Sequence, residues 1–148
     1  MLDDLDIKIL NILQKNARAK RNVIAETVGL SLPSVSERLN KLEEKGIIQG
    51  YYTKLNRKSF GYDILAYVLV TMDSSKHYKA LIAKVEKNPI VIECHSVLGE
   101  GSHLLKIVAK NTEALEKLLG EIQSLPGVIS TKTTFILSAI KETTEINI

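Results

Sequence analysis

The chain has 148 residues, 45% apolar and 25% charged, with a net charge of +3, proportions of a soluble protein built as one compact domain or two small ones. No apolar run approaches the ~20 residues needed to cross a bilayer, and the acidic opening Met1-Leu2-Asp3-Asp4 lacks the basic start of a signal peptide. The single cysteine, Cys94, excludes an internal disulfide and a multi-cysteine metal centre, so a cytoplasmic location without a metal or other cofactor is expected.

From Leu2 to Leu13 the apolar residues Leu2, Leu5, Ile9, Ile12 and Leu13 recur at helical spacing. Asp3, Asp4 and Asp6 fall in the first turns, where carboxylates suit the positive end of a helix. A second short helix is expected over Arg21–Val28, with Val23, Ile24, Ala25 and Val28 inward. Gly29 then ends it in the left-handed conformation, Ser31 caps a third helix and Pro33 sits in that helix's first turn. Val35, Leu39 and Leu42 face its core, and Gly46 stops it. Two such helices joined by a tight glycine-containing turn form a helix-turn-helix. The alternation through Ile47–Thr53 suggests a small wing or connecting strand, and the polar run Asn56–Gly61 a domain boundary.

Beyond it the pattern changes. Ile64–Met72 reads as a strand apolar on both faces, as if covered on both sides. Tyr78–Val85 is a helix, Ile90–Leu98 and Leu104–Ala109 are strands joined by Gly99-Glu100-Gly101-Ser102, Thr112–Leu125 is a helix, and Val128–Ile140 a long last strand. The order β-α-β-β-α-β is ferredoxin-like. The fold class is therefore α+β: a winged helix-turn-helix over residues 1–60, then a βαββαβ domain over residues 61–148.

Charge divides along the same line. Residues 1–60 hold eleven Lys and Arg against seven Asp and Glu, whereas residues 61–148 hold nine Lys against ten acids and no arginine. Arginine pairs bidentately with phosphates and guanine edges, so the front half points to nucleic acid. On the third helix the exposed residues are Ser34, Ser36, Glu37, Arg38, Asn40 and Lys41. Ser34, Ser36 and Glu37 suit base edges, Arg38 a guanine or a phosphate, and Lys41, Lys20 and Arg21 the flanking phosphates. Two plainer readings stand beside these: Glu37 pairs with Lys41 one turn on, and Arg38 packs against Glu43 or the first helix.

Catalysis has little support. Cys94 and His95 are adjacent on an expected strand and point to opposite faces, so they make no nucleophile–base pair, and Cys94 reads as a small buried hydrophobe. No phosphate loop or paired-carboxylate signature is present.

The stretch VIAETVGLSLPSVSERLNKLEEKGIIQGY, its prelude LDDLDIKILNILQKNAR, and the later ECHSVLGEGSHLLKIVAK and LPGVISTKTTFIL resemble the Lrp/AsnC family of feast/famine regulators over nearly the whole chain. The resemblance implies a front domain that binds double-stranded DNA. It implies a rear domain whose sheets pair into a homodimer, with dimers assembling further into tetramers or octamers. It also implies an amino acid or related effector bound near the contacts between dimers. It places that effector at Gly99, Glu100, Gly101, Ser102 and His103, with Ser96, Thr134, Phe135 and Ile136 lining or adjoining the site. Ser102 stands where the family usually has an acid and His103 where it has an aromatic, which implies a different ligand or none. The alternatives are a non-specific DNA-organising protein, or an assembly and ligand-sensing module without specific DNA reading.

Overall fold

The computed structural model describes residues 2–148 and divides into two units, one running to Lys54 and taking back Lys141–Ile148, the other spanning Leu55–Ile140. In the first unit, helix α1 spans Asp4–Lys15, α2 Arg21–Val28 and α3 Leu32–Glu44. Their apolar stripes meet in a core of Ile9, Ile24, Ala25, Val35 and Leu39, close-packed because each helix presents its inward positions three and four apart. Gly29 adopts φ 73° to end α2, and the Ser31 side chain accepts from the Ser34 amide to begin α3. The turn between the two helices is thus fixed by chain-local chemistry. The returning C-terminal segment is held on α1 by Gln14, whose side-chain amide donates to Ile146 O at 3.0 Å and accepts from Ile146 N at 2.7 Å.

The expected strand after α3 does not form. Gly46 turns the chain at φ 66°, and the amides of Ile47 and Ile48 both donate back to Leu42 O, at 2.9 and 3.1 Å. Those groups finish the helix instead of a ladder, and residues 49–56 run on without regular structure.

In the second unit a short 3-10 turn, Arg57–Phe60, leads to β1 (Ile64–Met72), α4 (Tyr78–Lys87), β2 (Val91–Ser96), β3 (His103–Ala109), α5 (Thr112–Gln123) and β4 (Val128–Phe135). The strands form one antiparallel sheet in the order β2-β3-β1-β4, which is the βαββαβ arrangement expected. Helices α4 and α5 cover one face with Leu81, Val85, Leu115, Leu118 and Ile122, packed on Val68, Val70, Leu105 and Ile107. The opposite face carries Leu65, Tyr67, Leu69, Leu104 and Val108, all half-buried. Strand β1 is therefore apolar on both sides as expected, yet only one side lies under helices.

Val23, expected inward on α2, is 49% exposed, and in the sheet two strand bounds and Cys94 depart from expectation. Strand β4 stops at Phe135, paired with Ala66, because β1 offers no further partner after Ile136 N bonds Leu65 O; Leu137 beyond it is 98% exposed. Strand β2 is shorter than Ile90–Leu98, with an irregular register between Val91 and Glu93. Cys94 is exposed and not a buried hydrophobe, because β2 is an edge strand, outside the two central strands that carry Val68, Val70, Leu105 and Ile107.

Candidate nucleic-acid interface and effector loop

Successive helical residues rotate by roughly 100°, at 3.6 residues per turn. With Val35, Leu39 and Leu42 buried, Ser34, Glu37, Asn40 and Lys41 project outward, while Ser36 and Arg38 fall on opposite shoulders of α3. The contacts agree. On one shoulder Arg21, the first residue of α2, donates to Ser36 Oγ at 3.3 Å. On the other, Arg38 Nη1 donates to Asp3 Oδ2 and to Asp6 Oδ1, each at 2.7 Å.

Those two carboxylates are themselves organised by α1. Asp3 is its N-cap: the Asp6 amide donates to Asp3 Oδ1 at 2.8 Å, and the Asp3 amide donates back to Asp6 Oδ2 at 3.2 Å. This reciprocal capping leaves one oxygen on each for Arg38. The Asp6 amide, and then Arg38, hold the Asp3 carboxyl below its ordinary pKa, and Arg38 is raised in turn, chiefly by Asp3. Arg38 and Asp6 keep only 27% and 14% of their side-chain exposure. Of the two readings open for Arg38 in the sequence, the structure sets the guanidinium on the first helix.

The outward face is otherwise accessible. Glu37, Asn40 and Lys41 are exposed, and Ser34 is half-exposed, its hydroxyl shared with Ser31 at 3.0 Å. Lys41 Nζ meets Glu37 Oε1 at 2.7 Å with both side chains more than half exposed, so water and salt screen the pair and hold it weakly. A groove of about 550 Å³ runs from Asp3 and Asp6 along Ser34, Glu37, Arg38 and Lys41 to Lys45 and Ile47. Lys20 and Arg21 are exposed at the start of α2. Behind α3, the Tyr51 hydroxyl donates to Glu43 Oε1 at 2.9 Å, and burial together with that carboxylate pushes its pKa up to about 12. The sequence carries no signal for this clasp, since the partners lie eight positions apart across the irregular chain that follows α3. The Asp3–Asp6 role had one, the three-residue spacing of a capping box.

The loop at residues 99–102 is built differently. Ser102 N and Oγ both donate to Val70 O, at 2.9 and 3.2 Å, and Val97 N donates to Ser102 O at 2.9 Å. A Cβ on Gly101 would stand 2.5 Å from Leu69 Cγ, so the loop backbone lies directly on the open sheet face. Since the Ser102 hydroxyl proton is used on Val70, His103 Nδ1 donates to Ser102 Oγ at 2.9 Å. His103 is 3% exposed, and its ring meets Tyr78 edge-on, centroids 4.6 Å apart. It belongs to the helix-covered core, and burial pushes its pKa below the ordinary value. Glu100 stays exposed, 3.8 Å from Lys132.

The remaining loop candidates are not gathered. Ser96 pairs with His103 on edge strand β2, whereas Thr134 pairs with Tyr67 on the opposite edge strand β4 and shares the open face. Phe135 is half-exposed at the end of β4, and Ile136 is partly buried. Among the described residues no group of three or more His, Cys, Asp or Glu side chains is placed to hold a metal ion, and no helix is long and apolar enough to cross a membrane.

Comparison with known proteins divides the chain across the same linker. Residues 2–49 match the winged helix-turn-helix DNA-binding family, and residues 65–146 the Lrp/AsnC ligand binding domain. The HTH-type transcriptional regulator FL11 of Pyrococcus furiosus is 35% identical over 99% of this chain and 96% of its own length. The leucine-responsive regulatory protein of Rhizobium meliloti is 34% identical over the same shares. Among solved structures, a Neisseria meningitidis transcriptional regulator in complex with L-methionine superposes with a TM-score of 0.92, at 32% identity over 99% of this chain and 97% of that one. Escherichia coli AsnC superposes with a TM-score of 0.89, at 29% identity over 98% of each. A DNA-binding helix-turn-helix joined to a ligand-binding α+β domain, matched from end to end, shows that this chain belongs to the Lrp/AsnC family of transcriptional regulators.

Proposed function

We propose that the chain acts as a homodimer that reads a pseudo-palindromic DNA site and is tuned by an amino acid or a related small molecule. Residues 1–60 read and residues 61–148 assemble and sense. The observation that carries the reading is the outward face of α3: Ser34, Glu37, Asn40 and Lys41 are presented together by a helix seated through Val35, Leu39 and Leu42. A helix presented this way enters the major groove by its N-terminal half. Ser34 and Glu37 meet base edges there, Glu37 accepting from a cytosine amino group, which its weak pairing with Lys41 permits. Lys41, Lys20 and Arg21 neutralise flanking phosphates, and Ser36 orients Arg21 toward them.

Pairing is assigned to the open sheet face. Leu65, Tyr67, Leu69, Leu104 and Val108 are half-buried in one chain, and packing two such faces removes that apolar surface from water. The effector site lies at Gly99, Glu100, Gly101 and Ser102, completed where dimers meet, because Ser96 and Thr134 sit on opposite edges of a single sheet. The neighbouring Neisseria regulator was solved with L-methionine. Ser102 offers a hydroxyl that Val70 already engages, so a ligand amino group gains no charge partner from it. The effector is therefore expected to differ from an ordinary amino acid or to bind weakly. Work inside the cell, away from membranes and without catalysis, accompanies this reading.

Selection of bound duplexes from a random pool by the purified protein tests it. The expected product is a palindromic motif preferred over random DNA by ~10³-fold or more. Uniform recovery of all sequences would replace the regulator by a non-specific DNA organiser, and no recovery by an assembly module.

A further inference from the structure

Arg38 is the one arginine on the reading helix, yet both of its short contacts run to Asp3 and Asp6. We propose that Arg38 is a positioning residue: through the doubly capped start of α1 it sets the azimuth of α3 in the groove, and it does not itself touch a base. This rests on the DNA-reading function proposed above.

The geometry supplies the reasons. One nitrogen, Nη1, serves both carboxylates at 2.7 Å, so a rotation of α3 that kept one contact would lose the other. The carboxylates cannot follow, because each is bound to the other's backbone amide within the capping box. Asp6 keeps 14% of its side-chain exposure, and stripping Arg38 from it would leave a half-buried carboxylate facing the DNA phosphates. The shoulder position matters as well. Arg38 lies toward α1, while Ser34, Glu37 and Lys41 point outward along the groove beside it. Arg21 and Ser36 brace the opposite shoulder. The reading helix is thus held from both sides by polar contacts, and specificity falls to Ser34 and Glu37.

Neutralising acids near a DNA-binding surface ordinarily strengthens binding to every sequence, because repulsion of phosphate falls. The proposal reverses that sign for the selected site. The Asp3→Asn/Asp6→Asn variant is expected to bind the selected duplex about tenfold more weakly while binding random duplex as well as or better than the unaltered protein. Arg38→Ala is expected to show the same loss, and the triple variant no further loss, since the three side chains act as one unit. The slope of log affinity against log salt stays unchanged in Arg38→Ala, and Arg38→Lys recovers most of the loss because one ammonium bridges both carboxylates. Far-UV melting of each variant checks that α1 and α3 stay folded. Should the acid variant destabilise the unit, Arg38→Lys decides: a loss as large as that of Arg38→Ala, confined to one base pair, marks a bidentate base contact and overturns the proposal. A salt slope smaller by about one in Arg38→Ala marks a phosphate contact and overturns it too. If the unaltered protein prefers no sequence, the DNA-reading function fails and this proposal with it. If it does, and the acid variant binds the selected duplex more tightly, only this proposal fails.

Discussion

The reading helix and the loop at residues 99–102 both carry polar side chains at the surface, yet they spend them differently. Helix α3 is seated by three buried side chains and braced on both shoulders, leaving its outer face free. The loop spends its polar groups on its own sheet: Ser102 bonds Val70 twice, and His103 turns into the core beneath Tyr78. A surface that must match a rigid partner such as DNA is preorganised locally. On the reading proposed above, the loop gains its remaining walls from another copy.

The largest expected effect separates the two directly. Leu69→Asp places a charge at the centre of the open sheet face, which two paired faces would bury at a cost of several kcal/mol. Sedimentation is expected to show monomers, with the first unit still folded by circular dichroism; an unchanged dimer would move the pairing surface elsewhere. Next is Gly101→Ala, whose methyl meets Leu69. Overpacking of this kind costs ~1–3 kcal/mol, here felt in the second unit, so thermal melting that resolves the two units should move one transition only. Ser31→Ala removes the α3 cap and is expected to cost about 1 kcal/mol in the first unit, the mirror of the loop variant.

The smallest effect is a pH dependence. Burial lowers the folded pKa of His103 below the unfolded value of ~6.5. The neutral ring's contribution to stability is therefore complete above that unfolded value and is lost as pH falls through the folded one. Melting at about pH 5 and about pH 7.5 should show a larger acid loss in the unaltered protein than in His103→Phe. Equal losses would mean the ring titrates as it does in water.

What the sequence made legible follows the range of the interactions. The helix-turn-helix rests on residues within one or two turns of each other, Gly29, Ser31, Val35 and Leu39, so periodicity and caps suffice. The βαββαβ order was equally plain, because apolar runs and turn residues alternate along it. The missing wing turned on a competition between neighbours: Leu42 O captures the Ile47 and Ile48 amides, and alternation alone does not show where an amide goes. Strand β4 ended early because β1 ran out of partners, a property of another strand. At the site, the outward residues of α3 were readable from its inward ones. Arg38 was readable in part: the first helix stood among its candidate partners, but not the choice of Asp3 and Asp6 over Glu43 or DNA, since those carboxylates lie some thirty residues away. The family resemblance puts His103 at the loop, whereas strand alternation with Leu105 and Ile107 carries it into the core.

The measurement that bears most directly on the contrast compares the selected full site with a duplex carrying only one half-site, titrated with the unaltered protein and with Leu69→Asp. If each chain holds a complete reader and the sheets pair two of them, the unaltered protein binds the full site ~10²-fold more tightly or better. Leu69→Asp then binds both duplexes at the half-site level, with its base preference intact. Equal binding of full and half sites by the unaltered protein, or loss of base preference in the Leu69→Asp monomer, would contradict it.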